Sequence, residues 1–207
     1  TPEHPLLTWD GKPSWTRLNT MKAGDFVLLQ PGHAANSGTP VMDPEEAYLL
    51  GLLMGDGWVD VPGRRVEWSR GGDFLPQHFY NLADQFWGKT PKPTQKEGTN
   101  SITHWIHSVE LVQRLDAQGV AFSSARDKSV PAAFLSATDA ERIRFLQGLF
   151  DTDGTATGDR VVEWVSASET LARQVHQMLI GLGVVGMLRP KLVEGYDHTY
   201  WRILIGG

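Results

Sequence analysis

The sequence predicts an α+β fold with an internal pseudo-twofold: two helix–strand–helix–strand halves, preceded by a small all-β segment. Three observations predict it. An apolar run that closes on Asp-Gly occurs twice, as LLGLLMGDG over Leu49–Gly57 and as LQGLFDTDG over Leu146–Gly154. The residues after the first run can be laid over those after the second. This sets Arg65-Val-Glu-Trp68 on Val161-Val-Glu-Trp164, Glu97-Gly98 on Glu194-Gly195 and His104-Trp105 on Tyr200-Trp201. Residues 1–42 differ in kind, being short apolar stretches punctuated by turn formers. Two long copies suit a pseudosymmetric domain better than a solenoid, which needs more and shorter repeats.

The chain of 207 residues can bury a full core, in one or two domains. A net charge of -5 excludes a globally basic nucleic-acid binder, so any such role must rest on local features. The absence of cysteine excludes disulfides, thiolate metal sites and a Cys nucleophile. No basic-then-apolar signal pattern precedes Leu6, and the apolar run Ala47–Met54 is too short to span a bilayer. A cytoplasmic protein without membrane contact is expected.

In chain order, HPLLTWDG, SWTRLNTM and DFVLLQP read as strands between turns at Asp10-Gly11, Lys12-Pro13 and Gly24-Asp25. Three short strands leave edges uncovered, and residues 31–40 read as a linker. Asp43 is a candidate N-cap, Pro44 suits the first helical position and Glu46 stands where a capping-box partner belongs, so a helix should run to Asp56. A strand over Arg64–Arg70, a helix over Leu75–Phe86, a strand over Ser101–Val109 and a helix over Glu110–Gln118 complete the first half. The second half, about 126–207 against about 43–125, repeats the programme: a helix over Asp139–Asp153, a strand over Arg160–Ser166, a helix over Glu169–Leu182, and strands near Met187–Val193 and Thr199–Ile205.

The paired runs carry the chemistry. Gly51 and Gly55 are one helical turn apart, as are Gly148 and Thr152, so each helix has a face of small residues that permits close approach. Two helices crossing on those faces would bring Asp56 and Asp153 together at their C-terminal ends. Paired carboxylates there repel each other and the helix dipoles, which a divalent cation relieves. Mg²⁺ accepts one or two carboxylates and keeps water ligands for phosphodiester hydrolysis, and a nearby Lys could stabilise the phosphate's charge.

At these residues the chain resembles the LAGLIDADG (DOD-type) homing endonucleases. LQGLFDTDG matches the signature closely; LLGLLMGDG departs from it at Met54 and Gly55. The resemblance implies two αββαββα-like halves with curved antiparallel sheets over 43–207, and a pseudosymmetric monomer that cuts double-stranded DNA with Mg²⁺ or Mn²⁺. It makes Asp56 and Asp153 the catalytic, metal-binding pair. Asp127-Lys128-Ser-Val-Pro131 resembles the family's Lys-hydrophobic-Pro block and gives Lys128 an assisting role; symmetry would place a second such Lys beyond Gly207.

Thr1-Pro2-Glu3-His4 is similar to the Thr-x-x-His block of intein splicing domains, which implies that Thr1 and His4 belong to a partial splicing segment over 1–42. Its partners would be the flanking splicing and host-protein segments. With no Cys or Ser before Thr1 and no His-Asn pair at Gly206-Gly207, this chain alone is not expected to splice.

Strand alternation puts Val66, Trp68, Val162, Trp164, Trp105 and Trp201 inward. It leaves Arg65, Glu67, Ser69, His104 and Arg202 outward as candidate DNA contacts. A nuclease-dead insert and a DNA-binding regulator on the same fold are the alternatives.

Overall fold

A computed structural model of the chain describes residues 1–32, 38–69, 74–95, 98, 101–158 and 160–206. It divides into two compact units, Thr1–Pro31 and Gly32–Gly207. Arg70, residues 33–37 of the expected linker, and Glu97 of the expected Glu97–Glu194 correspondence lie outside the described residues.

In the first unit β1 (Pro5–Trp9) pairs antiparallel with both β2 (Pro13–Arg17) and β3 (Phe26–Val27). The turn between β1 and β2 needs a left-handed residue, and Gly11 supplies it at φ 72°. Thr8 is buried and its hydroxyl bonds those of Ser14 and Thr16, which fixes the β1–β2 register. Trp15 and Phe26 are 72% and 73% exposed, because three short strands have no second layer to cover them.

The second unit runs α1 (Pro44–Asp56), β4 (Gly57–Asp60), β5 (Arg65–Ser69), α2 (Phe74–Trp87), β6 (Lys92–Gln95), β7 (Ile102–His107) and α3 (Val109–Ala117). Then come a short α4 (Ala132–Leu135), α5 (Asp139–Asp153), β8 (Gly154–Thr157), β9 (Val161–Ser166), α6 (Glu169–Gly181), β10 (Gly186–Leu192) and β11 (Thr199–Ile205). The sheets are ordered β4-β5-β7-β6 and β8-β9-β11-β10, the same antiparallel topology twice. This is the pseudosymmetric α+β fold. The strands β4, β6 and β8 were not expected from sequence: each is only four residues long and lies at a sheet edge, where Pro93 is tolerated.

The repeat extends to single hydrogen bonds. The fully buried Trp68 and Trp164 donate their indole N–H to Leu52 O (3.1 Å) on α1 and Leu149 O (3.2 Å) on α5. Each sheet is thereby pinned to its own half's central helix.

Capping decides the helix starts. Asp43 accepts from the Glu45 amide at 2.8 Å, as its position suggests, but Glu46 is not its capping-box partner. Glu46 is buried and paired with Arg114 of α3. The box forms on α5 instead, where Glu141 accepts from the Thr138 amide and hydroxyl. Its other oxygen accepts from the amides of Val41 (2.6 Å) and Met42 (2.7 Å), which docks the end of the connection on α5, and Thr39 of the expected linker bonds Ser136 O at 2.9 Å.

Burial raises the Glu141 carboxyl pKa, but these hydrogen bonds outweigh it and hold the group below its ordinary 4.5. A depressed folded-state pKa contributes stability above the unfolded value that is lost as pH falls through the folded one. Urea melts below about pH 4.5 should therefore show steeper loss of stability in the wild type than in Glu141→Gln, which is weaker at neutral pH but flatter in acid.

One register expectation is overturned. His104 and Ile106 are the core residues of β7, at 4% and 5% exposure, and Trp105 faces outward. His104 packs on the Trp68 ring and bonds the Tyr80 hydroxyl at 2.8 Å, so it lies in the core and not on the outward face from which it was expected to meet DNA. The cause is hairpin length. Trp68 pairs with His104 and Trp164 with Ile203, so His104 corresponds to Ile203 and Trp105 to Leu204. The expected match to Tyr200-Trp201 is offset by an odd number, which exchanges the faces of the strand. In β11 the expectation stands: Trp201 packs against the core and Arg202 lies on the other face. In β9 Trp164 is buried, whereas Val162 is 38% exposed at the edge of an apolar groove with Ile143, Phe150 and Leu182.

Candidate active site

The site is built by the contact between α1 and α5. A Cβ on Gly51 would lie 2.2 Å from the Phe145 carbonyl oxygen, and one on Gly148 would lie 2.3 Å from that of Tyr48. Each helix thus occupies the space a side chain on the other would need. One turn later the contact repeats with a size exchange, as a Cβ on Gly55 would meet the Thr152 hydroxyl at 1.9 Å. Thr152 is buried and returns its hydroxyl to Gly148 O and Leu149 O, so it adds no unsatisfied group to the seam.

The helices therefore run side by side in one direction and end together, with Asp56 as the last residue of α1 and Asp153 as the last of α5. The Asp153 carboxylate overhangs the last turn of α1, its Oδ2 3.3 Å from where a Gly55 Cβ would be. Both aspartates are half-buried. The acid that lacks a twin has a different task. Asp151 accepts the Tyr48 hydroxyl at 2.6 Å, and Arg144 lies over the Tyr48 ring. Burial and this bond push the Tyr48 phenol pKa up. Asp151 thereby ties the helices together on their flank.

Lys128 joins the aspartates. Its Nζ donates to Met54 O (2.6 Å), Gly55 O (2.8 Å) and Gly57 O (3.4 Å), carbonyls left open at the end of α1. Burial pulls its pKa down, while the negative charges of Asp153 and Asp56 oppose that pull. A cation thus stands beside both carboxylates, in the half-buried setting where charge interactions are strong.

Among the described residues no group of three or more His, Cys, Asp or Glu is placed so that it could hold a metal ion. Two carboxylates fit a cation that completes its shell with water, as Mg²⁺ does, and not a closed structural site.

Of the expected DNA contacts, Arg65, Glu67 and Ser69 lie on the outward face of β5. Arg65 bridges Glu67 (3.1 Å) and Asp60 (3.7 Å). Arg202 lies on the outward face of β11 directly opposite Arg189 of β10. Strand pairing adds outward residues that sequence reasoning did not place there: Arg189 beside Arg202 on the second sheet, and Lys92 and Trp105 beside each other on the first. Lys92 sits over the Trp105 ring on the first sheet. In the first unit Thr1 and His4 are exposed, and the Thr1 carbonyl accepts the His4 amide at 3.0 Å.

Comparison with known proteins places residues 140–207 in a match to the LAGLIDADG-like domain. The whole chain is 26% identical over 231 residues to the replicative DNA helicase DnaB of Rhodothermus marinus. It is also 28% identical over 219 residues to the protein RecA of Mycobacterium tuberculosis, which covers 98% of the chain. The chain spans only about a quarter of these relatives, 23% and 25% of their lengths. Among solved structures, a variant of the homing endonuclease I-DmoI aligns with TM-score 0.57 and 22% identity over 78% of this chain and 88% of its own. I-DmoI has also been solved in complex with DNA and Ca and with DNA and Mn. Full-length DUF199/WhiA from Thermatoga maritima aligns with TM-score 0.54 and 17% identity over 80% of this chain and 52% of its own. The fold is therefore the LAGLIDADG fold.

Proposed function

We propose that the chain is a divalent-metal-dependent DNA endonuclease of the homing type, carried within a protein-splicing element. The observation that carries the nuclease reading is the convergence of Asp56, Asp153 and Lys128 at one helix-pair end. Asp56 and Asp153 would hold Mg²⁺ or Mn²⁺. Such a cation, when bound, polarises the scissile phosphate and lowers the pKa of attacking water. Asp56 and Asp153 would hold it at the shared end of α1 and α5, and Lys128 would offset negative charge where the phosphate would lie. Solved I-DmoI complexes with DNA and Ca or Mn support the choice of ion class.

The outward sheet faces would take the DNA. Directly opposed like charges destabilise a sheet unless an anion lies between them. Arg189 and Arg202 form such a pair, and neither is in an ion pair among the described residues. Their joint replacement by Ala is expected to weaken binding across sequences and to lower the salt slope by roughly one per lost phosphate contact. Fluorescence anisotropy over a salt series measures this.

The splicing context is supported by the relatives. A segment of similar length is matched in two differently named proteins and makes up about a quarter of each, which suits a mobile element carried by unrelated hosts. Thr1 and His4 would then serve the splicing segment, and the flanking splicing and host segments would be its partners. We place the protein in the cytoplasm, at the nucleoid when DNA-bound. WhiA shares the fold, so a DNA-binding regulator is the competing reading. A plasmid carrying the uninterrupted host coding sequence separates the two: linearisation with Mg²⁺ and none with EDTA supports the nuclease. Tight binding without cleavage in Mg²⁺ or Mn²⁺ supports the regulator.

A further inference from the structure

Lys128 is held at two ends by two different halves of the second unit. Its ammonium is bound to the first half, at the carbonyls of Met54 and Gly55 in the last turn of α1 and of Gly57 at the start of β4. Its backbone is bound to the second-half helix α6. The Ser168 hydroxyl donates to Lys128 O at 2.6 Å, and Gln174 Oε1 accepts from the Val130 amide at 2.8 Å, two residues further along. Ser168 is fully buried, and it also accepts from the Leu171 amide at 3.1 Å as the N-cap of α6. The preceding turn is tied to the same half: Arg126 Nη2 donates to His198 Nδ1 at 2.8 Å, in the connection between β10 and β11.

We propose that Gln174, together with Ser168, is a positioning residue for Lys128, through which the second half aims this cation at the metal-binding end of α1. In its consequence for cleavage the proposal rests on the nuclease reading; in its consequence for Lys128 it does not. A lysine head has four rotatable bonds and would disperse over many rotamers if only its charge were attracted. Pinning the backbone just after Lys128 at Lys128 O and Val130 N, with the turn before it tied through the Arg126 side chain, leaves the lysine one reach, along which three carbonyls receive its three N–H donors. The two α6 contacts are side chain to backbone, so they survive exchange of the loop's own side chains and depend on the polar atoms at 168 and 174.

Gln174 gives the cleaner test because it is only half-buried and caps nothing. Gln174→Met keeps the chain length and removes the acceptor; Gln174→Glu keeps an acceptor in place. The first readout is the ¹⁵N-resolved ammonium signal of Lys128 in the full chain without DNA, assigned by its loss in Lys128→Arg. The second is the single-turnover cleavage rate at saturating DNA, followed on each strand separately, with the dissociation constant for DNA measured alongside.

Gln174→Met should shift or broaden the Lys128 signal and slow cleavage about 10–100-fold, the scale that a misplaced group costs. DNA affinity should stay unchanged and the loss should fall on one strand more than the other. Gln174→Glu should restore both. A Lys128 signal unmoved in Gln174→Met overturns the proposal, as does a Gln174→Glu variant no better than Gln174→Met. If the signal moves and recovers as described while the wild type cuts no DNA, the positioning role stands and the nuclease reading falls.

Discussion

Asp153→Asn should cut DNA at least about 10³-fold more slowly than the wild type, above the roughly 10²–10³ that one preorganised electrostatic contact supplies. The larger loss comes from the residue's place. Asp153 ends α5 and its carboxylate overhangs the last turn of α1, so it belongs to the seam between the halves rather than to one of them. Removing its charge takes away half of the anionic pair that would hold the cation, and leaves the Lys128 ammonium with one counter-charge instead of two. Asn is nearly isosteric, so the seam should stay intact. The melting temperature is expected to hold or rise slightly, because two like-charged carboxylates at adjoining helix C-termini repel each other and the dipoles. DNA binding in Ca²⁺ should survive within a few-fold. Asp151→Asn is the contrast. Asp151 accepts the Tyr48 hydroxyl on the flank of the helix pair, so its replacement should cost stability and leave the cleavage step largely intact. Thermal melts, strand-resolved cleavage and anisotropy on the wild type and these two variants separate these outcomes. Equal rates for Asp153→Asn and the wild type would remove Asp153 from the site.

How much of this could be read from sequence depended on the range of the signal. The helix pair was legible because its information is local and doubled: Gly51 and Gly148, Asp56 and Asp153 each stand at a fixed place in a repeated run. The two small faces could be deduced from helical spacing alone. Lys128 came from its motif block, and its contacts to α1 could not have been derived from spacing, since they cross between halves. Strand facing failed where it depended on hairpin length. The β5 alternation of Arg65, Glu67 and Ser69 against Val66 and Trp68 is correct. The β7 assignment of His104 and Trp105 is reversed, because a correspondence offset by an odd number inverts a strand's faces without altering its composition. The edge strands β4, β6 and β8 were invisible because their pairing comes from the central strands and not from their own residues. Glu46 shows the same limit at a helix start: its spacing suits a cap, but Arg114 of α3 takes it.

Gly148→Ala should unfold the second unit, or nearly so, although an Ala in a helix interior is ordinarily a gain of roughly 1 kcal/mol over Gly. The added methyl would sit 2.3 Å from Tyr48 O and 2.7 Å from Leu52 N, which are backbone atoms of a packed helix with no rotamer to vacate. The helices must separate, and that movement opens the core around the fully buried Leu49, Leu52 and Leu149. Overpacking that flexible side chains absorb costs about 1–3 kcal/mol, so a rigid backbone clash should reach the top of that range or exceed it. The propensity gain is too small to offset it, and the sign of the effect is fixed by tertiary contact. Gly51→Ala should behave alike, since its methyl would meet Phe145 O at 2.2 Å. Gly55→Ala should be milder in stability, because what it meets is the Thr152 side chain, but it should slow cleavage by crowding Asp153 Oδ2. That difference allows a compensation test. Combining Gly55→Thr with Thr152→Gly exchanges the sizes across the seam, and it should recover at least about 1 kcal/mol of coupling relative to the sum of the single variants. Urea unfolding of the four proteins measures the cycle. Additive losses would mean that positions 55 and 152 do not share one contact, and the close approach that sets Asp56 beside Asp153 would have to come from the Gly51–Gly148 turn alone.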